Sequence, residues 1–437
     1  MTNPKTVYIK TFGCQMNEND TETMYALLAG KGYRPIDDPK KADLVLVNSC
    51  SIREKSYQKA LSELGRFKKI GKKELKIGLT GCVASQEGAK LLKRFPHLNL
   101  VLGTDHLNSL PEAVELLSSR PQLTRSEPVA EEDYLFPAFF QESGVKSSVT
   151  IMKGCDNACS FCIVPFVRGK EISRPPDEIL AEIKKKEEGG VRELLLLGQN
   201  VNSYGKKLRP KTTFVELLRR IDEETGIARL RYTSPHPKDL SDELIEEQGR
   251  NPKLCRHIHL PVQSGSNSVL KRMRRSYTRE IYRRKVDKLR ARVPDIAIST
   301  DLIVGFPGET ERDFEETLSL VREVGFHSSY SFVYSPRPQT EAFSLRDDLP
   351  QTVKEERLKI LQGLQEEVGL GRNRELVGRR EEVLVEGASL RGNHLTGRTT
   401  WNHIVNFDGD PLQIGAILEV RITEAFAYSL AGEVIDG

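Results

Sequence analysis

Long hydrophobic runs are missing from this 437-residue sequence, and its polar start, MTNPKTVYIK, does not resemble a signal peptide. We therefore expect a cytoplasmic protein with no membrane partner. Cysteine is scarce and odd in number, at seven, which does not suit the paired disulfides of an oxidising compartment. The net charge of +4 is small, so bulk charge neither requires nor excludes a nucleic-acid partner. The composition, with 38% hydrophobic and 29% charged residues, excludes extensive disorder.

Three of the cysteines lie in one short segment, GCDNACSFCIVPF, as Cys155, Cys159 and Cys162. Iron–sulfur clusters ordinarily take four thiolates, so this CxxxCxxC spacing would leave one iron without a protein ligand. An open iron indicates bond-making chemistry rather than electron storage. A structural zinc site is the less favoured alternative, because no fourth ligand at a suitable spacing follows Cys162.

Three further cysteines follow predicted strands in the first ~120 residues. The β-rich runs, separated by helical patterns, are TVYIKTF, ADLVLVN, LKIGLTG and LNLVLGT, and this alternation predicts an open parallel sheet. Cys14, Cys50 and Cys82 each follow a run within about two residues, two of them directly after a glycine, Gly13 or Gly81. Ligands of parallel sheets bind outside the carboxyl ends of the strands. We expect a second three-cysteine site there, with zinc still possible as its metal.

Six more β-rich runs alternate with helical patterns between residues 149 and 334, namely VTIMKG, RELLLLG, ARLRYTS, HIHLPV, IAISTDLIVG and HSSYSFVY. Six βα units are too few for a closed eight-stranded barrel, so we expect a partial (βα)6 barrel that is open on one side. The CxxxCxxC loop follows the first of these strands, which places it at the carboxyl-terminal mouth, where barrel enzymes hold their reactive groups.

The expected organisation is an α/β chain with a small all-β end. Residues 1–120 form the sheet domain, 121–145 a linker anchored by aromatic side chains, 146–370 the partial barrel, and 371–437 a small β-barrel. The linker aromatics are Tyr134, Phe136, Phe139 and Phe140. Between residues 373 and 437 acidic residues outnumber basic ones by ten to six. RNA contacts of this last domain would therefore come from local residues, for which the candidates are Arg391, Arg398, Trp401 and His403.

One basic segment, residues 271–292, carries 11 Lys and Arg against two acidic residues. Backbone phosphates are the natural partner of such a segment, and a solvated helix face is the equally weighted alternative.

Several motifs resemble a known family. CxxxCxxC with Phe161 just before its last cysteine resembles the radical S-adenosylmethionine superfamily. Six further motifs, which together span the chain, are similar to those of its methylthiotransferase family: TFGCQMNENDTE, NSCSIREKS, GCVASQEG, RYTSPHP, HLPVQSGSNSVLKRMRRSYT and TDLIVGFPGET. The tail GRTTWNHIVNF resembles the MiaB branch of that family.

This resemblance implies two [4Fe-4S] clusters and S-adenosyl-L-methionine as cofactors. Cys155, Cys159 and Cys162 would hold the radical cluster, and Cys14, Cys50 and Cys82 an auxiliary cluster that delivers sulfur. The implied reaction adds a methylthio group to C2 of N6-isopentenyladenosine at tRNA position 37. A TRAM RNA-binding domain is implied at the end of the chain. The implied partners are a tRNA anticodon stem-loop, a flavodoxin-like or ferredoxin-like electron donor, and iron–sulfur or sulfur carrier proteins. We expect a monomer.

Sulfur transfer between two clusters also implies that the sheet edge docks over the barrel mouth. Residues at the ends of predicted barrel strands are candidate contacts for S-adenosylmethionine or the flipped base, each with a turn or strand-cap role as the alternative. They are Gln199, Asn200, Gln263, Gly305 and Glu309. Phe161, within the cysteine motif, is a further cofactor-binding candidate that the resemblance implies. Arg337 is a candidate phosphate ligand.

Two alternatives remain open at the level of sequence. One is a sister methylthiotransferase that acts on threonylcarbamoyladenosine or on an aspartate of ribosomal protein S12. The basic segment argues against a protein substrate. The other is a non-catalytic, zinc-dependent RNA-binding protein.

Overall fold

The computed structural model describes residues 5–72, 74–137, 144–389 and 394–435. They form a parallel sheet, a partial barrel and a small closed barrel, in that order along the chain. No helix in these ranges is both long and apolar enough to cross a membrane.

The first unit is a six-stranded parallel sheet in the order β2-β1-β3-β4-β5-β6. Its strands are β1 (Lys5–Phe12), β2 (Tyr33–Pro35), β3 (Leu44–Ser49), β4 (Lys76–Thr80), β5 (Leu100–Leu102) and β6 (Leu123–Arg125). Its helices are α1 (Gln15–Ala29), α2 (Glu54–Phe67), α3 (Cys82–Glu87), α4 (Lys90–Arg94) and α5 (Leu110–Leu116). The apolar run in β3 is buried on both faces, as a central parallel strand requires. Val45 and Val47 pack on one face of the sheet, and Leu44 and Leu46 on the other.

The four predicted strands of this unit are confirmed, and two short ones were missed. β6 lies within the segment that the sequence assigned to the linker. Its three residues carry no alternating pattern, and only pairing with β5 makes them a strand. Farther along that segment, the Tyr134 ring lies 3.6 Å from the Lys153 ammonium and the Phe136 ring lies near Arg174, so both anchor the connection as expected. Phe139 and Phe140 lie outside the described residues.

The second unit is the predicted partial barrel, in which all six expected strands are present. Its strands are β7 (Lys146–Thr150), β8 (Met152–Lys153), β9 (Ile172–Ser173), β10 (Glu193–Leu197), β11 (Arg229–Tyr232), β12 (His257–His259), β13 (Ala297–Val304) and β14 (Ser328–Val333). Its helices are α6 (Val164–Val167), α7 (Pro176–Glu188), α8 (Phe214–Glu224), α9 (Asp242–Arg250), α10 (Asn267–Arg272), α11 (Arg279–Arg292), α12 (Glu311–Val324) and α13 (Gln351–Arg374). The parallel sets β7-β10-β11 and β12-β13-β14 meet beside β11, where Leu230 bridges Leu254. β8 and β9 form a separate antiparallel pair.

Alternate residues of the barrel strands face the helices or the lumen. Ile258, Ile298 and Leu302 belong to the large apolar core under the helices. The other face of the same strands carries polar and aromatic side chains, namely His259, Ser299, Asp301 and Tyr330, which the strand register places side by side. The lumen is therefore polar, as a substrate cavity would be.

The third unit is a closed five-stranded barrel in the order β15-β16-β17-β19-β18. Its strands are β15 (Arg380–Ala388), β16 (Leu395–Thr399), β17 (Ile404–Phe407), β18 (Ile417–Ala425) and β19 (Leu430–Val434). Two arginines of β11 attach it to the amino-terminal end of the larger barrel. Arg229 donates to the Arg398 carbonyl at 2.6 Å, and Arg231 donates to the Thr399 carbonyl at 2.7 Å. The small barrel thus leaves the opposite, carboxyl-terminal mouth to the first unit.

Candidate active site

Three separate strand ends assemble the first cysteine triad. Cys14 caps α1 directly after the loop that ends β1, Cys50 follows β3, and Cys82 begins α3 after β4. Because β1, β3 and β4 are adjacent and parallel, their carboxyl ends lie together. The Cys50 thiol donates a hydrogen bond to Cys14, which lowers the Cys14 pKa to about 6, and Cys82 interacts electrostatically with both. The predicted convergence of these cysteines is confirmed.

Local contacts fix this triad. Asn17 at the start of α1 donates through Nδ2 to the Asn48 Oδ1 at 3.2 Å, and Asn48 donates back to the Asn17 carbonyl at 2.7 Å. Gly81 has φ = 83°, and a Cβ there would lie 2.3 Å from the Asn48 side chain. Only glycine fits this turn, which directs Cys82 towards the other two thiols.

A single loop holds the second triad. Gly154 precedes it with φ = 71°, and a Cβ there would lie 1.9 Å from the Lys170 carbonyl oxygen. The backbone N–H of Cys155 then donates to the Gly169 carbonyl, and the backbone N–H of Cys162 donates to the Cys159 carbonyl at 3.1 Å. Burial first of all, and then the neighbouring Cys159, raises the pKa of Cys162 to about 12. The loop thus presents its three thiols close enough to influence one another.

An arginine that the sequence analysis did not single out supports this loop. Arg275 Nη1 donates to the Cys159 Sγ at 3.4 Å. Its other contacts hold it in place: Nε donates to the Tyr277 hydroxyl at 2.8 Å and Nη2 to the Pro261 carbonyl at 2.9 Å. In the sequence, Arg275 was one charge among eleven, and nothing in the pattern marked it as buried.

The two triads are neighbours. Cys82 packs in one small apolar cluster with Ile163 and Val167, which directly follow the second triad. The buried guanidinium of Arg168 pairs with Asp20 of α1 at 2.7 Å and interacts electrostatically with both Cys14 and Cys82. Sequence patterns cannot distinguish a buried arginine from an exposed one, so this pair was missed.

The edge of the first sheet docks over the barrel mouth, as predicted. Arg337, in the loop after β14, donates to Glu54 Oε2 at 2.6 Å and to the Ile52 carbonyl at 3.0 Å. On the opposite side, Lys153 pairs with Asp105 at 2.5 Å. The assignment of Arg337 to phosphate is therefore wrong, because both of its terminal nitrogens bind the first unit and its side chain is buried.

Of the other predicted site residues, Phe161 and Gln199 keep features suited to a ligand. Phe161 packs beside the cysteine loop against an apolar cluster that includes Met273 and Phe306. The Gln199 Oε1 is buried, and no hydrogen-bond partner for it occurs among the described residues. Asn200 differs, because its amide donates to Asp239 and accepts from the His236 backbone, which ties two loops together.

Gln263, Gly305 and Glu309 shape strand ends. Gln263 has φ = 75° and exchanges backbone hydrogen bonds with β13. Gly305 donates to the Glu309 Oε1 at 2.9 Å, and Arg357 donates to the same oxygen at 2.8 Å. Glu309 is thus engaged in closing a turn. Direct contact of these three residues with a cofactor or base stays a prediction.

The basic segment is partly paired with acidic neighbours: six of its eleven Lys and Arg side chains form ion pairs among the described residues. On α11, Arg279 and Arg283 both pair with Glu323 of α12. The same helix pairs Lys288 and Arg292 with acidic side chains of α9. These four cations join adjacent barrel helices, whereas phosphate binding by the segment as a whole stays a prediction.

The candidate RNA-binding residues of the small barrel differ in their burial and contacts. His403 is buried against His327, with the two rings 4.1 Å apart, so it is not available to RNA. Arg398 pairs with Glu386 at 3.2 Å, and Trp401 lies under Arg256. Arg391 lies outside the described residues.

Both triads suit an iron–sulfur cluster in their donor chemistry, because each offers three thiols and leaves one cluster iron without a protein ligand. Among the described residues, no three Cys, His, Asp or Glu side chains are arranged to hold a single metal ion. A cluster spreads its ligands over several irons and does not need that arrangement.

Comparison with known proteins defines the class. Residues 149–321 match the Radical SAM superfamily, residues 374–435 the TRAM domain, and residues 6–103 the Uncharacterized protein family UPF0004. Among solved structures, the radical S-adenosylmethionine methyltransferase TsrM from Kitasatospora setae aligns with a TM-score of 0.57 at 15% identity, covering 78% of this chain and 74% of that one. The cobalamin-dependent radical enzyme OxsB aligns with a TM-score of 0.52 at 13% identity, covering 84% and 56%. At these identities the likeness shows the fold alone.

Full-length relatives show the family. The tRNA-2-methylthio-N(6)-dimethylallyladenosine synthase of Geobacter sulfurreducens is 50% identical over 445 residues, which cover 100% of this chain and 98% of the relative. The protein of the same name from Geobacter metallireducens is also 50% identical, with 99% of each chain covered. The chain belongs to this family of synthases, within the radical S-adenosylmethionine enzymes.

Proposed function

We propose that this chain adds a methylthio group to C2 of N6-isopentenyladenosine at position 37 of tRNA. The observation that carries the proposal is the proximity of two three-thiol sites at one barrel mouth: Cys82 of the first packs with Ile163, the residue after Cys162 of the second, and with Val167. Methylthiolation needs a carbon radical and a sulfur donor side by side. The fold brings two candidate cluster sites together at such a place.

In this proposal, Cys155, Cys159 and Cys162 hold one [4Fe-4S] cluster and leave its fourth iron to S-adenosylmethionine. When bound, these groups supply the electron and the radical that open a C–H bond beyond the reach of any protein acid or base. The chain positions them. Arg275 orients Cys159, and the unpaired Gln199 Oε1 offers an acceptor to a donor group entering the mouth.

Cys14, Cys50 and Cys82 would hold the second [4Fe-4S] cluster, from which sulfur reaches the base, and a second S-adenosylmethionine would supply the methyl group. Arg168 places a buried positive charge beside this triad, where thiolates and a cluster of net negative charge would be stabilised. The ion pair of Arg168 with Asp20 also fixes α1, and with it Cys14, against the barrel.

The partners follow from the same proposal. The tRNA anticodon stem-loop would enter at the mouth, with the TRAM domain as a further RNA contact. A flavodoxin-like or ferredoxin-like protein would supply electrons, and iron–sulfur or sulfur carrier proteins would supply clusters and sulfur. The site of action would be the cytoplasm.

The decisive experiment is a product assay with anaerobically reconstituted protein. We expect about eight irons per chain from two cubane clusters, and a methylthio product, seen by mass spectrometry, on tRNA that carries the isopentenyl group. Matched tRNA without that group should give none. Product on threonylcarbamoyladenosine tRNA or on ribosomal protein S12 instead would contradict the proposal, as would a colourless zinc protein without activity.

A further inference from the structure

Tyr330 is an aromatic side chain that its surroundings leave uncovered. It lies on β14 and is 52% exposed, although its strand belongs to the barrel wall. Other aromatics near the mouth are buried, with Phe306 at 0% and Tyr334 at 5% exposure. Packing within the described chain therefore does not account for the position of the Tyr330 ring.

Hydrogen bonding does not account for it either. The buried tyrosines of this barrel use their hydroxyls: Tyr232 donates to Gln248 at 2.8 Å, and Tyr282 donates to the Leu260 carbonyl at 2.9 Å. Among the described residues, none forms a hydrogen bond with the Tyr330 hydroxyl. Its neighbours on the lumen face, His259 and Asp301, are polar, so the ring is not the edge of an apolar core.

The ring contacts elements that lead to both cysteine sites. The Arg53 guanidinium is 5.8 Å from the ring centroid, and Arg53 follows Cys50 by three residues. The His259 ring lies 5.9 Å away on β12. The chain after β12 reaches Pro261, whose carbonyl accepts from Arg275, the arginine that binds Cys159. A planar group on Tyr330 would thus lie close to elements that are connected to both triads.

The Arg53 contact is loose, because its 5.8 Å distance is close to the limit of about 6 Å for a cation–π pair. The ring consequently keeps a face available. Aromatic side chains in such positions stack nucleobases, and enzymes that modify a base take it out of its stack into a pocket.

We propose that Tyr330 is the platform on which the adenine to be modified stacks after it leaves the anticodon loop. This inference rests on the proposed function and adds to it the residue that positions the base. The stacked adenine lies in the lumen, with the first unit above it and β12 beside it.

The test uses the full-length protein and an anticodon stem-loop RNA with 2-aminopurine at the reacting position. The fluorescence of this base is quenched when it stacks. Wild-type protein and Tyr330→Phe should quench it equally. Tyr330→Leu should lose most of the quenching and bind the RNA roughly tenfold more weakly, a change of about 1.4 kcal/mol, as the loss of one base–aromatic stack would give. Tyr428→Leu, which removes an exposed tyrosine of the small barrel, should still quench.

Opposite results overturn the inference: no quenching by wild type, or unchanged quenching by Tyr330→Leu. Circular dichroism of Tyr330→Leu checks that the variant is folded, and preserved quenching by Tyr330→Phe shows that the ring rather than the hydroxyl matters. The same wild-type preparation is assayed for methylthio product on isopentenylated tRNA. If the wild type gives product but Tyr330→Leu quenches as well as the wild type, only the stacking role of Tyr330 is refuted. If quenching depends on Tyr330 but the wild type gives no product, only the proposed reaction is refuted.

Discussion

The two cysteine triads differ in how the chain builds them. Cys155, Cys159 and Cys162 come from one loop of eight residues, whereas Cys14, Cys50 and Cys82 come from three strand ends that are 36 and 32 residues apart. The local triad is set mainly by its loop and a close backbone approach at Gly154, with one distant contact from Arg275. The assembled triad depends on sheet order, on Gly81 and on the Arg168 ion pair with the second unit. A site built from distant segments is therefore more exposed to changes in tertiary structure.

The largest effects should come from removing one thiol of each triad. Cys155→Ala should abolish both S-adenosylmethionine cleavage and product. Cys50→Ala should abolish product but leave cleavage intact. Each variant should lose about four irons, one cubane's complement. Iron analysis and detection of deoxyadenosine measure these outcomes.

Cys255→Ala is the matched control, because Cys255 is buried alone in the barrel. It should keep both clusters and full activity. Loss of cleavage in Cys50→Ala would mean that the two triads are not separate sites, and loss of iron in Cys255→Ala would mean that iron loss is not specific to the triads.

A second prediction weakens only the support of the assembled triad. Arg168→Met leaves Asp20 as an unpaired buried carboxylate, which we expect to cost about 3–5 kcal/mol in the free energy of unfolding. Urea unfolding followed by circular dichroism measures this loss. The double variant Arg168→Met with Asp20→Asn should recover part of it, because no charge is then left buried.

The control replaces an arginine of a surface ion pair. Arg125→Met, which removes the partner of exposed Glu112, should change stability far less. If Arg168→Met and Arg125→Met were equally stable, the buried pair would not be what holds α1 to the barrel.

A third prediction concerns the interface between the barrels, another contact made only by tertiary structure. Burial lowers the pKa of His327 to about 4 and that of His403 to about 2, with Arg372 adding to the first and His327 and Arg231 to the second. The unfolded chain, with ordinary histidine pKa values near 6.5, then binds more protons below that pH. Stability should be full well above pH 6.5 and fall as the pH drops through 6.5 towards 4, by about 2 kcal/mol per histidine, or about 4 kcal/mol for the pair, at pH 5.

The variant His403→Gln removes one of these groups. Its stability should therefore fall less steeply between pH 6.5 and 4 than that of the wild type, in thermal unfolding at a series of pH values. An unchanged acid profile would show that the pair does not contribute.

The smallest effect is expected on α11. Arg283→Ala with Arg292→Ala should leave tRNA affinity within about twofold, because both arginines already pair with acidic neighbours. Lys55 and Lys59 are exposed on α2 near the mouth and have no ion pair in the described part of the chain. Lys55→Ala with Lys59→Ala should weaken binding more and lower the slope of log affinity against log salt by about one unit per lysine. Filter binding at several salt concentrations would measure the affinity and the salt slope of both double variants. Equal losses of affinity would contradict the prediction that α2 contributes more to tRNA binding than α11.

Much of the fold could be predicted because its signals are local. Apolar runs marked four strands of the sheet and all six strands of the main barrel, and the rule for strand ends was enough to bring Cys14, Cys50 and Cys82 together. Charge pairing could not be predicted in the same way. Arg337 and several cations of α11 have the composition of phosphate ligands, but their acidic partners lie on other elements and cannot be read from the segments themselves.

The sequence by itself determined the longer strands, the thiols and the family, because each depends on residues that are adjacent or follow a regular period. The tertiary structure alone decided which charges are neutralised, that Arg168 lies buried beside the first triad, and that Tyr330 keeps an open ring in the lumen. The physical reason is that burial and charge pairing arise between segments far apart in the chain. They exist only once those segments have packed.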